Sequence, residues 1–256
     1  MKRAYFLLIL ILTLSLVSSG EVNQQEPADE FKAASNLYSA GKYQEALDAW
    51  MVLYNAGYRS AAIDYNIGNA YFKIGSVPGP ILFFERALLL KPADEDIVYN
   101  LQIARTLVVD KFAEIPELFF ITWFNFISLS LTSNTWAIFG LATFVLFLLL
   151  LSLYFYSKNY RLKVIGFWMA SFMLLFSLFS ISFSARNRKL VFNSDMAIIM
   201  IPQVNGKSSP DQSGTDLFLL HEGTKVTVGD NVGGWFEIRL SDGNKGWVPS
   251  ESLEKL

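Results

Sequence analysis

One histidine, no cysteine and few clustered carboxylates are what this sequence of 256 residues offers for chemistry. His221 alone cannot build a multi-histidine metal site, and the lack of cysteine removes thiolate ligands, a thiol nucleophile, disulfides and a lipid anchor on cysteine. Standing at the end of the apolar run Leu217 to Leu220, His221 has the setting of an ordinary half-buried side chain. Asp94, Glu95 and Asp96 follow Pro92, where acidic groups cap a helix N-terminus rather than share a proton. Neither a GxxxxGK[ST] loop nor a GxGxxG turn is present to cradle phosphates. No catalytic residue, cofactor or metal site is therefore expected, and the sequence reads as that of a protein that is not an enzyme. The groups left for chemistry are recognition groups: tyrosines and asparagines between 35 and 103, and two tryptophans, Trp235 and Trp247. What they can do depends on the elements that carry them.

Composition places those elements at a membrane. Hydrophobic residues make up 52% of the chain and the mean hydropathy is +0.33, too apolar for an ordinary soluble protein. The net charge of −2 supplies no cationic field to gather phosphates, which excludes nucleic acid as a partner and leaves the lipid bilayer. Lys2 and Arg3, an apolar run to Val17, and the small residues Ser18, Ser19 and Gly20 have the layout of a signal peptide over 1–20. The alternative, a permanent anchor, would need a longer apolar core. Two uncharged stretches, 136–156 and 164–184, are long enough to span a bilayer, unless a large soluble domain buries both. The turn between them carries Lys158, Arg161 and Lys163, while Asp110, Glu114 and Glu117 precede the first. Positive-inside bias puts that turn in the cytoplasm, although Arg186, Arg188 and Lys189 after the second span pull the other way. The aromatic segment 116–132, with Phe119, Phe120, Trp123, Phe124 and Phe126, is too short to cross and is expected to lie in the interface.

Between signal and spans the sequence repeats itself. Tyr65-Asn66-Ile67-Gly68-Asn69-Ala70 aligns with Tyr99-Asn100-Leu101-Gln102-Ile103-Ala104, an offset of 34 from 66 to 100 that also links Gly41 to Gly75 and Trp50 to Phe84. With Ala34, Tyr43 and Ala46 in the first unit, and Gly68, Tyr71, Ala87 and Pro92 in the second, this pattern resembles tetratricopeptide repeats over residues 28–110. Pro80 departs from it by standing where a small residue is usual. The resemblance implies stacked helix pairs, with a last unpaired helix capping the stack. It also implies a peptide-binding groove lined by Ser35, Tyr38, Tyr65, Asn69, Phe72, Tyr99 and Ile103, with a packing module lacking any peptide ligand as the alternative. Asn66 and Asn69 match part of the family's carboxylate clamp, but Lys73 alone does not complete its basic set.

After the second span, apolar and alternating runs at 196–201, 216–220, 224–229, 235–240 and 245–249 read as strands, and Asp242-Gly243 marks a hairpin. Glu222-Gly223-Thr224-Lys225-Val226, Gly234-Trp235-Phe236-Glu237 and Lys245-Gly246-Trp247-Val248 resemble bacterial SH3 domains, over 194–256. Trp235 and Trp247 then form an SH3-like surface, serving either recognition of peptide or peptidoglycan or simple packing.

The expected whole is a multidomain membrane protein: all-α tetratricopeptide repeats, two transmembrane helices and an all-β SH3-like small barrel. That order of parts is similar to the BatE-like proteins of the Bacteroides aerotolerance (Bat) group, on the residues 64–73, 208–211, 213–218 and 220–224. The resemblance implies an inner-membrane, periplasm-facing scaffold that works with Bat-type membrane proteins carrying von Willebrand factor A domains, in aerotolerance or envelope stress. A cell-wall binding or sensing protein is the alternative. In the scaffold reading two folded parts are pictured as separate contacts held near each other by the membrane; in the alternative the SH3-like domain reads and the repeats transmit.

Overall fold

The computed structural model describes residues 25–113, 116 and 118–256. The expected signal segment 1–20, and Glu114 and Glu117, lie outside them. Helices α1 Gln25–Ser39, α2 Tyr43–Asn55, α3 Ala61–Lys73, α4 Pro78–Leu90 and α5 Glu95–Arg105 follow one another through short connections, each packed on the next. The 34-residue offset is expressed physically. Ser60 Oγ accepts from Ile63 N at 3.2 Å and Asp94 Oδ1 from Ile97 N at 3.3 Å, so α3 and α5 start on equivalent side-chain caps. Gly41 and Gly75 end α1 and α3 with φ of +77° and +83°, a backbone shape that other residues rarely adopt. Trp50 and Phe84 are buried in α2 and α4, and Ile63, Ile67 and Ala70 repeat as Ile97, Leu101 and Ala104. Pro80 does not displace its helix. With Pro78 it occupies the first turn of α4, where backbone N–H groups have no intrahelical partner to lose. One buried polar group stands apart: Asp64 is 3% exposed, its Oδ1 has no hydrogen-bond partner, and burial pushes the carboxyl up to about 6 against the pull of Arg86 and Arg59.

Three apolar helices follow: α6 Phe119–Leu129, α7 Ser133–Tyr156 and α8 Tyr160–Phe192. Two of them, α7 and α8, are long and apolar enough to cross a membrane. Of the most apolar 18-residue stretch, only 6% in α7 and 22% in α8 is buried against the rest of the chain, so they are not core helices of the folded parts. Each extends beyond the stretch read from the sequence; α8, with 33 residues, continues past Ser184 through the charged Arg186 and Arg188 to Phe192. The two meet along small residues, Gly140 on α7 and Gly166, Ala170, Ser177 and Ser180 on α8, which let the backbones approach. Ser177 Oγ donates to Gly140 O at 2.8 Å and Ser133 Oγ to Ser184 O at 2.9 Å.

A polar knot fastens α6 to this hairpin. Asn187 Nδ2 donates to Ser128 O at 2.7 Å and Leu131 O at 3.1 Å, Ser128 Oγ donates to Asn187 Oδ1 at 3.0 Å, and Trp136 Nε1 donates to Ser128 O at 2.9 Å. Arg186 adds bonds to Ser128 Oγ at 3.0 Å and Asn125 Oδ1 at 2.6 Å. The aromatic side chains of α6 remain outward, with Phe119, Trp123 and Phe126 each more than 70% exposed at 78%, 72% and 76%.

The C-terminal part is a seven-stranded antiparallel sheet: β1 Met196–Ile199, β2 Gln203–Lys207, β3 Asp216–His221, β4 Lys225–Val232, β5 Trp235–Arg239, β6 Lys245–Pro249 and β7 Leu253–Lys255. Its order is β3-β2-β6-β5-β4-β1-β7, curled round one core that includes Val204, Leu220, Val226, Ile238 and Val248. Strands β2 and β7 were not expected from the pattern. In β2, Gln203-Val204-Asn205-Gly206-Lys207 offers one apolar side chain, and β7 is only three residues long. The helical array and the sheet are not separate bodies: in β1, Ala197 and Ile199 enter the sheet's core while Ile198 enters the helical one.

A Cβ at Gly140 would lie 2.9 Å from Ile181 Cγ1 and 3.5 Å from its backbone nitrogen. Gly140→Leu is accordingly expected to part the α7–α8 seam and lower the stability of the detergent-solubilised chain by about 1–3 kcal/mol, read as an earlier thermal transition in tryptophan fluorescence.

Candidate functional site

A hollow of about 310 Å³ opens on the helical array, lined by Tyr38 of α1, Tyr65, Asn69, Phe72 and Lys73 of α3, Phe84 of α4, and Asn100 and Ile103 of α5. Five of the seven groove residues read from the sequence, Tyr38, Tyr65, Asn69, Phe72 and Ile103, are brought together here. Ser35 is not among the lining residues; its Oγ donates to Phe31 O at 2.9 Å, back into its own helix. Tyr99 is also absent, being 64% exposed. Tyr65, its counterpart one repeat earlier, packs on Phe84 with ring centres 5.7 Å apart, whereas no second helix follows α5 to give Tyr99 an equivalent ring.

Asn100 takes the place expected of Tyr99. Its Nδ2 donates to Tyr65 Oη at 2.8 Å and to Asn69 Oδ1 at 3.0 Å, joining α3 to α5 across the hollow. The signal for it was the Tyr-Asn pair repeated at 65–66 and 99–100, of which only the tyrosine was carried into the groove. Burial, then Tyr43 and Tyr65, push the Tyr38 hydroxyl upward, so it stays protonated and able to donate at neutral pH. Lys73 is the one charged residue in the lining, with its Nζ 6.0 Å from the Tyr43 ring centre. Neutral donors and acceptors, aromatic walls and one cation suit recognition of an extended backbone.

A second constellation joins the helices to the sheet. Glu85, buried on α4, accepts from Lys225 Nζ at 2.8 Å and from Arg105 on α5. Burial alone would push its carboxyl up, but Lys225 and Arg105 outweigh it and hold Glu85 below the usual carboxylate range. Asp110 accepts from His221 N at 2.7 Å and Thr224 Oγ1 at 2.6 Å, and its other oxygen lies 2.8 Å from His221 Nδ1. Burial opposes ionisation there too, and the Thr224 and His221 bonds win, keeping Asp110 below its ordinary value. Arg86 Nη2 donates to Glu254 Oε1 at 2.9 Å and Lys255 O at 2.6 Å, tying α4 to β7. Gly223, with φ +82°, closes the turn before β4 against Ile81, Val108 and Val77; a Cβ there would come within 2.9 Å of Ile81 Cδ1. His221 thus holds a half-buried packing place at a junction. Sequence reasoning missed that junction because its partners are separated by more than a hundred residues, 111 from Asp110 to His221 and 140 from Glu85 to Lys225.

On the sheet, Trp235 stands opposite Pro249, and Trp247 opposite Glu237. The two tryptophans are therefore diagonal neighbours on one face of β5 and β6, each half-buried, while Ile238 and Val248 on the other face fill the core. Their face is the outer one. Residues 204–254 match the bacterial SH3 domain family. The SH3 match starts within β2, so β1, the strand shared with the helices, lies before it. No curated protein and no solved structure matches the chain.

Glu85→Gln leaves two half-exposed cations facing a neutral amide at the junction with the SH3 sheet. A carboxylate whose folded pKa is depressed gives stability that is present above its unfolded value and is lost as pH falls through the folded one. The substitution should therefore cost about 1–3 kcal/mol at neutral pH, less than a fully buried pair because water reaches Arg105 and Lys225. Its cost should begin to shrink as pH falls below the unfolded value of about 4.3, and should vanish once pH passes the lower folded value, where the parent also loses the pair. Unfolding of both chains across that range checks the sign.

Proposed function

We propose that this chain is a membrane-anchored recognition scaffold, its helical domain read as tetratricopeptide repeats that hold an extended peptide segment of an envelope protein. The observation that carries the reading is the preformed polar floor of the helix-lined hollow. Asn100 holds Tyr65 and Asn69 in place before any ligand arrives, which lowers the ordering cost of binding. Phe72 and Ile103 provide apolar contact beside it. The uncovered apolar surfaces of α7 and α8 support a bilayer crossing. Together with the signal-like segment 1–20 and the basic turn near Lys158, Arg161 and Lys163, they favour an inner-membrane protein whose helical domain and SH3 sheet both face the periplasm. Resemblance to the Bat group supplies the partner class: membrane proteins with von Willebrand factor A domains, acting in aerotolerance or envelope stress.

A photo-crosslinking residue at Phe72 in living cells is expected to capture a membrane protein of that class. The same residue at Val52, 63% exposed on α2, is expected to capture none. Equal products at both positions, or none at Phe72, would remove the groove from the proposal.

The SH3 match and the outward tryptophans favour a second reading, in which the sheet binds peptidoglycan. Because Ile198 is buried among the helices, the full chain rather than an excised sheet is the right sample. Under this reading the detergent-solubilised chain sediments with purified peptidoglycan, and Trp235→Ala with Trp247→Ala weakens that by tenfold or more, about what loss of an aromatic hot spot does. Unchanged sedimentation would leave the tryptophans as packing residues.

A further inference from the structure

Another hollow, of about 910 Å³, opens where the last turn of the helical array, the connector after it, α6 and the SH3 sheet meet. Four cations line it: Arg105, Lys111, Lys225 and Arg239. Its one lining carboxylate, Asp110, is already engaged by His221 and Thr224. Arg105 and Lys225 share Glu85, whereas Lys111 and Arg239 engage no acid among the described residues. Among the described residues positive charge is thus in excess around a space large enough for a small-molecule headgroup. Ile81, Val108, Phe112, Met196 and Val226 give it apolar wall beside the hydroxyls of Thr227 and Ser241, and Thr122 of α6 is among the lining residues. By their spacing on α6, the uncovered rings of Phe119, Trp123 and Phe126 share a helix face with Thr122.

We propose that this hollow binds the headgroup of an anionic phospholipid, with Lys111 and Arg239 at its phosphate and the acyl chains leaving along α6. The inference rests on the membrane reading above. An arginine matches phosphate oxygens in paired geometry and a lysine adds a point charge. A free phosphate would satisfy the cations but leave the apolar walls and the α6 rings uncovered; an anion joined to hydrocarbon covers both. The site differs from general attraction to a charged surface in needing two particular side chains on separate parts of the fold, the connector and β5.

The test begins with flotation of the full chain on neutral phosphatidylcholine vesicles. Failure to float removes the membrane reading and this proposal with it; flotation isolates the question of the headgroup. The chain is next extracted from vesicles of equal phosphatidylcholine and phosphatidylglycerol, and its retained lipid is read by native mass spectrometry. Phosphatidylglycerol should be enriched about fivefold or more, and Lys111→Gln with Arg239→Gln should bring the ratio to within about twofold of the bulk. Lys158→Gln with Arg161→Gln, in the turn between α7 and α8, should leave it unchanged. No enrichment, enrichment that survives the Lys111 and Arg239 changes, or equal loss in both pairs overturns the site. Displacement of the lipid by millimolar glycerol phosphate would identify a soluble anion as the occupant and overturn the lipid assignment, whereas retention of the lipid supports it.

Discussion

Strand β1 is the wall between two interiors, and the rest of the folded architecture depends on its alternation. Successive side chains of a strand point to opposite faces, so Ala197 and Ile199 complete the core of the SH3 sheet while Ile198 completes the core of the helices. All three are fully buried. Removing Ile198 from water stabilises the junction by about 1.5–3 kcal/mol, whereas its ion pairs lose most of their gain to desolvation. The polar contacts around it act chiefly on geometry. Glu85 between Arg105 and Lys225, and Asp110 between His221 and Thr224, each need one orientation of sheet against helices to be satisfied. The picture of two independent modules gathered by a common membrane is thereby replaced by one body in which the helices and the sheet have a fixed relation.

How much of this could be read from residues alone differs by range. The 34-residue offset, the turn glycines and the acidic caps are local or near-local, and the helices follow them closely. Five strands announced themselves by alternation; β2 and β7 exist because neighbours supply hydrogen bonds to segments with little apolar pattern of their own. Of the two repeat-related tyrosines, Tyr65 rests on the Phe84 ring of the next helix and lines the hollow, whereas Tyr99, where the array stops, does not line it. The junction was illegible, because its partners share no spacing that chain periodicity could expose.

Asp64 shows the same division between local and distant causes. Its place in the first turn of α3 is favourable for a carboxylate, yet packing of α4 and nearby side chains buries it and leaves Oδ1 without a partner. Arg86, whose charge pulls that carboxyl down, directs its Nη2 bonds to Glu254 and the Lys255 carbonyl of β7, while its Nη1 is buried without a partner. The helical interior thus tolerates an awkward acid while one of its natural counter-ions serves the junction with the sheet.

The length of α8 has a geometric consequence. At a rise of about 1.5 Å per residue its course is on the order of 50 Å, well beyond a hydrocarbon layer of roughly 30 Å. The turns beyond that length form a stiff post braced by α6 through Asn187 and Ser128, and only residues 193–195 separate its end from β1. A post of that kind sets a spacing: the folded body is held off the apolar stretch of α8 by a length that cannot vary much without breaking either the brace or the shared strand.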